Sequence, residues 1–186
     1  MCLLQNSSMT LLQYLTFEWI SNTMSLETVT ADLAQRAPHL AIVESHQPTP
    51  TVETAAVVHG VAPGQIAKTL AFWIGDRLQN KAVLIVAGGM ARIDNKKFKA
   101  FFGAKGKMLN AGEVLQLTSH PVGGVCPFGL PSAVPIYLEQ SLREFAEVMP
   151  AAGSTHSMVL LNLAELEWLT QGVWVDLAKN ETEASA

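Results

Sequence analysis

The spacing of hydrophobic residues alternates along the chain between a helical period of about 3.6 residues and a strand period of about two, which predicts a mixed fold. The predicted helices cover residues 25–37, 52–59, 94–103, 110–117, 139–148 and 162–172. The predicted strands cover residues 39–44, 66–74, 81–87, 134–138, 157–161 and 173–177. Because the two kinds of element follow one another irregularly, the pattern favours a mixed α/β or α+β domain with a largely antiparallel sheet over a doubly wound fold.

Several local signals support these boundaries. The apolar runs 66–74 and 81–87 flank Gly75-Asp76-Arg77 and predict an antiparallel hairpin. Asp94 is a suitable N-cap for the helix that follows it. The ends of the chain differ in character: residues 1–23 are expected to be an N-terminal extension, with Met24 as an alternative start, and residues 180–186 a polar tail. The sequence therefore predicts one domain over residues 24–179.

Composition narrows the class of protein. Hydrophobic residues make up 49% of the 186 and charged residues 15%, which is typical of a compact globular domain. No apolar run approaches the roughly 20 residues that a membrane span requires. No Lys or Arg precedes Arg36, so a positively charged leader is absent and a cytoplasmic location without membrane association is expected. Two cysteines, Cys2 and Cys126, provide neither a disulfide framework nor a metal cluster, and no metal or cofactor is predicted.

Positive charge is concentrated in one short segment. The formal net charge of -4 argues against a general nucleic-acid coat and against DNA as a partner. Half of the 12 basic residues nevertheless fall within 16 positions: Arg92, Lys96, Lys97, Lys99, Lys105 and Lys107. This basic patch has two interpretations, a solvated helix face or a contact for a phosphate backbone.

A second unusual segment is the loop Pro121-Val122-Gly123-Gly124-Val125-Cys126-Pro127-Phe128-Gly129-Leu130, called the Gly/Pro loop below. Glycine lets a ligand approach the backbone and proline stiffens it, so the loop offers main-chain N–H groups with almost no polar side chains. Such a loop suits an anion or a developing oxyanion. The alternative is a rigid connection between two elements.

Lys68 is the third candidate feature. Period-two alternation along 66–74 places it on one strand face with Ile66, Leu70, Phe72 and Ile74. A lysine in that position either extends its ammonium to water or directs it into a cavity that needs a charge.

These features together resemble the YbaK/prolyl-tRNA synthetase-associated editing domain. The resemblance rests on Gly64-Gln65-Ile66-Ala67-Lys68-Thr69-Leu70, the following hairpin, residues 122–129, Ala152-Gly153-Ser154 and residues 162–166. It covers about residues 38–178 and implies a mixed sheet or partial barrel surrounded by helices. It further implies a trans-editing hydrolase that deacylates mischarged tRNA, most often tRNA for proline carrying a small wrong amino acid. Prolyl-tRNA synthetase is then a candidate partner, and the chain a monomer or homodimer.

The resemblance also assigns roles to residues. Lys68 corresponds to the family's functional lysine, and Gly123, Gly124, Val125, Cys126 and Pro127 correspond to a GxxxP loop whose amides position the ester carbonyl. A water molecule attacks in this family, so Cys126 is expected to be structural. The remaining expected substrate contacts are His46, Phe128, Gly129, Ser154 and His156, and the expected tRNA contacts are Arg92, Lys96, Lys97 and Lys99.

Two departures from the family pattern leave alternatives open. Thr118-Ser119-His120-Pro121 stands where many relatives have Thr-Gly, so the entry to the loop could differ and His120 could reach the pocket. Glu139 stands where Asp is common. A non-catalytic tRNA- or synthetase-binding factor of the same fold is the main alternative function. A hydrolase acting on another small ester is a third.

Overall fold

A computed structural model describes residues 25–75 and 81–179. The expected extension 1–23, the tail 180–186 and positions 76–80 of the predicted hairpin loop lie outside the described residues. The helices of the described residues are α1 (25–36), α2 (Val52–His59), α3 (Asn95–Phe102), α4 (Ala111–Thr118) and α5 (Leu163–Thr170). Its strands are β1 (Ile42–Glu44), β2 (Ile66–Ile74), β3 (Ala82–Gly88), β4 (Gly106–Met108), β5 (Ile136–Glu139), β6 (Glu147–Pro150), β7 (Ser157–Val159), β8 (Leu161–Asn162) and β9 (Val173–Val175).

One mixed sheet organises the domain. Its strands follow the order β8-β6-β2-β3-β5-β9, and β4 adds to β2 at the same edge as β6. The β2–β3 pair is antiparallel, with Lys68 opposite Ala87, whereas β6, β5 and β9 join through parallel pairs. A separate antiparallel pair joins β1 to β7. The sheet curls into a half-barrel surrounded by helices, so the expected mixed α+β fold is confirmed.

The helices begin where the sequence provides caps. Asp94 accepts hydrogen bonds from the N–H groups of Lys96 and Lys97, which fixes the start of α3. Asn110 and Asn162 form capping boxes with the glutamates three residues later and start α4 and α5. Among the described residues, no helix is both long enough and apolar enough to span a bilayer.

The helix expected over 139–148 is wrong. Only one 3₁₀ turn forms there, Gln140–Glu144, with the Glu139 carboxylate accepting from Ser141 N–H at its start. The next residues form β6 instead, between β2 and β8. Val148 is buried in the main core, and Met149 is buried in a second cluster with Ile66 and Met158. Residues 106–108, which carry no strand signal in the sequence, form β4 against Phe72, Trp73 and Ile74. In both cases tertiary pairing overrides local propensity.

Candidate active site

A gap in the edge of β2 opens the cavity that we take as the candidate active site. β3 covers one edge of β2 throughout. At the other edge β6 pairs with Ile66 and Ala67, and β4 pairs with residues 72–74. On this edge no strand of the described chain pairs with 68–71, and Leu109 N donates to Ala71 O at 3.0 Å. A cavity of about 390 Å³ lies at this interval.

The walls of the cavity come from five parts of the chain. Its lining is formed by Thr49, Pro50, Thr51, Val52 and Ala55; by residues 66–71; by Met108, Leu109 and Val114; by Val122, Gly123 and Val125; and by Ala151 and Met158. Lys68 and the Gly/Pro loop therefore meet at one cavity. In the sequence, Val122 and Val125 lie 54 and 57 positions after Lys68. Among the residues that the structure describes, Lys68 is the one charged side chain in this lining, and the rest is mostly apolar.

Backbone carbonyls hold Lys68 in place. Its Nζ donates to Gly89 O at 2.6 Å and to Ala91 O, both in the turn that follows β3. Because an ammonium carries three N–H donors, one remains for a ligand in the cavity. Burial lowers the pKa of Lys68, the nearby Arg92 lowers it further, and Glu53 opposes the shift.

Gly89 is essential to this arrangement. A Cβ at Gly89 would lie 2.1 Å from Pro63 O and 2.5 Å from Val52 Cγ1, so no larger residue fits without moving the turn. The turn that holds Lys68 is thus fixed by its packing against the 3₁₀ turn Pro63–Gln65 that precedes β2.

Several residues of the Gly/Pro loop line the cavity and have main-chain N–H groups without an acceptor in the described part of the chain. Gly124 N donates to Pro121 O at 2.9 Å, and Cys126 N donates to His120 Nδ1 at 3.3 Å. Within the described residues, the N–H groups of Gly123 and Val125 have no acceptor, and both residues line the cavity. At least two main-chain donors therefore belong to residues that line the same cavity as Lys68, and donors in such a place suit a developing oxyanion.

Contacts on the far side of the loop hold its shape. A Cβ on Gly124 would lie 2.7 Å from Ser154 C, so the two backbones touch there, and Gly153 N donates to Gly124 O at 3.1 Å. Asp32 on α1 accepts from Gly129 N at 3.0 Å. The loop is therefore anchored to both α1 and residues 151–156.

The other predicted site residues lie outside the cavity lining. Cys126 and Phe128 are fully buried in the main core, and Pro127 and Gly129 face a separate open cleft beside α1. His46 is exposed, Ser154 is buried with its hydroxyl 2.7 Å from that of Ser157, and His156 Nδ1 lies 3.0 Å from Thr155 Oγ1. Their roles in substrate binding remain predictions.

Sequence reasoning missed much of the lining. Residues 49–52 line the cavity, whereas the sequence predicts only His46 from this part of the chain as a substrate contact. Leu109 and Val114 also line it, because β4 and the start of α4 lie beside the β2 gap. The sequence predicted a helix over 110–117, and a helix boundary alone does not show which of its residues line a pocket.

No side chain in this lining has the environment of an activated nucleophile. The candidates are the hydroxyls of Thr49, Thr51 and Thr69, and no His, Asp or Glu lines the cavity beside them within the described chain. Thr49 Oγ1 donates to Thr155 O, and Thr51 Oγ1 serves as the cap of α2. A water nucleophile fits this lining better than a covalent mechanism does.

Cys126 is expected to be chemically inert in the folded protein. Burial raises the pKa of its thiol to about 12, so only about one molecule in 10⁴ carries a thiolate at pH 8. Iodoacetamide should modify Cys126 at least about 100-fold more slowly in the native state than in urea. Peptide mapping by mass spectrometry measures this site apart from Cys2, and equal rates in the two states would contradict the burial.

His120 should make the stability of the domain depend on pH. Burial lowers its pKa from 6.5 to about 4. Between these values the unfolded chain binds a proton that the folded chain does not, so the free energy of unfolding falls as the pH falls from 6.5 to 4. At about 1.4 kcal/mol per pKa unit, the loss approaches 3 kcal/mol at pH 4.

The measurement compares urea unfolding of the wild type and His120→Asn at pH 7 and pH 4.5. Other groups titrate equally in both proteins, so the difference between them isolates His120. We expect the wild type to lose about 2 kcal/mol more than the variant over this range. Parallel pH dependence in the two proteins would show that His120 is not buried in its neutral form.

The fold and the cavity define the class of protein: a small α+β domain with a lysine and a Gly/Pro-rich loop at one mostly apolar cavity. A family model for the aminoacyl-tRNA editing domain matches residues 46–169. The chain is 43% identical over 159 residues to the uncharacterized protein YwhH of Bacillus subtilis (strain 168), covering 84% of this chain and 99% of YwhH. The chain belongs to the aminoacyl-tRNA editing domain family, as its resemblance to the YbaK-like domain predicted.

Two further comparisons carry functional names. A protein of Enterococcus faecalis (strain ATCC 700802 / V583) named "Putative Cys-tRNA(Pro)/Cys-tRNA(Cys) deacylase EbsC" is 26% identical over 132 residues, covering 70% of this chain and 79% of EbsC. A crystal structure described as "a putative trans-editing enzyme for prolyl tRNA synthetase" superposes with a TM-score of 0.76 at 32% identity. That match covers 84% of this chain and 98% of the solved chain.

Proposed function

We propose that this protein is a trans-editing deacylase that hydrolyses the ester of a mischarged aminoacyl-tRNA, with tRNA for proline carrying a small wrong amino acid as its preferred substrate. The observation that carries the proposal is the meeting of the Lys68 ammonium with the free N–H groups of Gly123 and Val125 at one mostly apolar cavity. These are donors for an ester carbonyl that becomes an oxyanion when water attacks. The names of EbsC and of the similar solved structure support tRNA for proline and the link to prolyl-tRNA synthetase.

The cavity is consistent with a small amino acid. Its volume of about 390 Å³ must hold the aminoacyl group and part of the terminal ribose, and Val52, Ala55, Leu109 and Met158 narrow it with apolar side chains. A site built for proline discriminates poorly against a smaller side chain, since one methylene contributes only about 1–3 kcal/mol. A second site that accepts small side chains removes the resulting error.

The test is hydrolysis of tRNA for proline charged in turn with Ala, Ser, Cys, Thr, 2-aminobutyrate and Pro. We expect loss of at least one wrong ester while the prolyl ester is spared. Tight binding of charged tRNA without turnover would favour the alternative, a non-catalytic tRNA- or synthetase-binding factor. No effect on any charged tRNA would overturn both functions.

The basic patch is proposed as the contact for the tRNA backbone. Arg92 follows Ala91, whose carbonyl holds Lys68, so the patch begins beside the cavity. Arg92, Lys96 and Lys99 are exposed, whereas Lys97 is half-buried and pairs with Asp176 at 2.6 Å. We therefore assign Lys97 a smaller share of the binding than Lys96 or Lys99.

Removing the exposed lysines should weaken tRNA binding and its dependence on salt. Each phosphate contact that is lost lowers the slope of log K against log salt by about 1. We expect Lys96→Ala/Lys99→Ala to flatten the slope by up to about 2 and Lys97→Ala by less. Filter binding between 50 and 200 mM salt measures this, with Lys81→Ala as an exposed lysine control. An unchanged slope in the double variant would refute the patch assignment.

A further inference from the structure

His120 lies directly behind the Gly/Pro loop and is fully buried. Its own N–H donates to Thr118 Oγ1 at 3.1 Å, and Thr118 Oγ1 donates to Val114 O at 2.8 Å, so the end of α4 fixes its backbone. Its imidazole Nδ1 accepts the Cys126 N–H at 3.3 Å and lies 3.7 Å from Cys126 Sγ. The side chain of His120, which precedes the loop, therefore contacts the loop at its centre.

The hydrogen bond defines the tautomer of His120. Because Nδ1 accepts from a main-chain N–H, the ring proton sits on Nε2. Nε2 is buried, and no acceptor for it lies within the described residues. A buried donor without a partner costs about 1–3 kcal/mol, and such groups call for an explanation beyond stability.

We explain the burial of His120 by its effect on which N–H groups of the loop already have a hydrogen-bond acceptor. Four consecutive N–H groups, from Gly123 to Cys126, could turn toward the cavity or away from it. The Gly124 N–H is held by Pro121 O, and the Cys126 N–H is held by His120. The two that remain, at Gly123 and Val125, are those of cavity-lining residues. Because a peptide unit is planar, fixing the Cys126 N–H also fixes the carbonyl of Val125.

We propose that His120 is a positioning residue for the Gly/Pro loop: by taking the Cys126 N–H behind the loop, it holds the Val125 segment so that the Gly123 and Val125 N–H groups face the substrate. This proposal rests on the function proposed above. Position 120 is one where the chain departs from the Thr-Gly pattern of many relatives. The hydrogen bond from Cys126 N–H to His120 is therefore specific to chains that have histidine at this position.

Two substitutions separate the hydrogen bond from packing. His120→Asn places an amide oxygen where Nδ1 was and retains the acceptor, whereas His120→Leu keeps the bulk and removes the acceptor. We expect His120→Leu to lower kcat about 10- to 100-fold with KM changed less than about threefold, because the displaced N–H groups bind an oxyanion that forms only in the transition state. His120→Asn should restore kcat to within about threefold of the wild type.

Thr170→Val is the matched control. It removes the side-chain acceptor of one main-chain N–H, that of Gly172 at 3.1 Å, from a position outside the cavity. A similar loss of stability in Thr170→Val with no loss of kcat separates positioning from general destabilisation. Equal kcat losses in His120→Leu and Thr170→Val, or a loss in His120→Asn as large as in His120→Leu, would overturn the proposal.

Amide hydrogen exchange provides a measurement that does not depend on activity. In His120→Leu, and in His120→Met if the leucine variant folds poorly, the Cys126 N–H should lose protection while the Gly124 N–H keeps it. In His120→Asn both should stay protected. Unchanged protection of Cys126 in the leucine or methionine variant would overturn the proposal, whether or not the protein hydrolyses charged tRNA. A wild type that binds but does not hydrolyse would instead count against the proposed function.

Discussion

Replacing Lys68 by alanine is expected to lower kcat/KM for a mischarged tRNA by about 10²–10³-fold. That is the usual cost of losing one donor to an oxyanion. Among the described residues, Lys68 supplies the one charged donor that lines the cavity, and two carbonyls fix the position of its Nζ. A water molecule in the alanine variant would be neutral and less well positioned, so it would stabilise the oxyanion poorly. Single-turnover hydrolysis of Ala-tRNA for proline, or of whichever wrong ester the wild type removes, measures the loss.

Two controls accompany this variant. Lys81→Ala removes an exposed lysine at the start of β3, outside the cavity, and should leave kcat/KM within about twofold of the wild type. Lys68→Arg keeps the charge but changes the geometry, because a planar guanidinium does not fit a pair of carbonyls as a compact ammonium does. It should rescue little of the activity. A Lys68→Ala variant with undiminished turnover would remove Lys68 from the mechanism.

The strand that carries Lys68 shows what the sequence predicts well. Alternation placed Lys68 on one face with Ile66, Leu70, Phe72 and Ile74. The last three pack in one core cluster with Phe98, whereas Ile66 packs in another cluster with Met149 and Met158. The cap signals at Asp94, Asn110 and Asn162 placed three helix starts correctly. Local patterns suffice here because each depends on neighbours within a few residues.

The errors share a different cause. Residues 139–148 have helical spacing, yet Val148 and Met149 are drawn into β6, where β2 and β8 supply partners that are distant in sequence. The gap along 68–71, which makes the cavity, exists only because β6 and β4 pair with the two ends of the same β2 edge. The spacing of hydrophobic residues within β2 does not show where a partner strand from another part of the sequence begins or ends.

The Gly/Pro loop also depends on contacts that are distant in sequence and that the local sequence does not predict. Its glycines and prolines predicted available N–H groups, but which of them are available depends on Pro121, His120 and Ser154. His46 illustrates the converse, because the turn that contains it does reach the cavity while its own side chain is exposed. Side-chain direction in a turn follows from dihedral angles that composition does not determine.

Gly124→Ala is expected to disrupt the site through the backbone alone. Its new Cβ would meet Ser154 C at 2.7 Å and Ser154 Cα and N at 2.8 Å, and main-chain atoms cannot rotate away as a side chain can. The loop must therefore move from residues 153–154, which breaks the bond from Gly153 N to Gly124 O and shifts the Gly123 and Val125 N–H groups. A displacement of about 1 Å at a reacting group costs about 100-fold in kcat.

The variant should also lose about 1–3 kcal/mol of stability through overpacking. Gly112→Ala is the matched control, because its nearest neighbour, Asn110 Oδ1 at 3.5 Å, leaves room for a methyl group in α4. That control should keep full activity and gain up to about 1 kcal/mol in urea unfolding. Assays of both variants well below their melting temperatures separate rate from stability. If Gly124→Ala loses stability but keeps kcat, the free N–H groups of the loop do not act on the reacting ester, and Lys68 must stabilise the oxyanion without them.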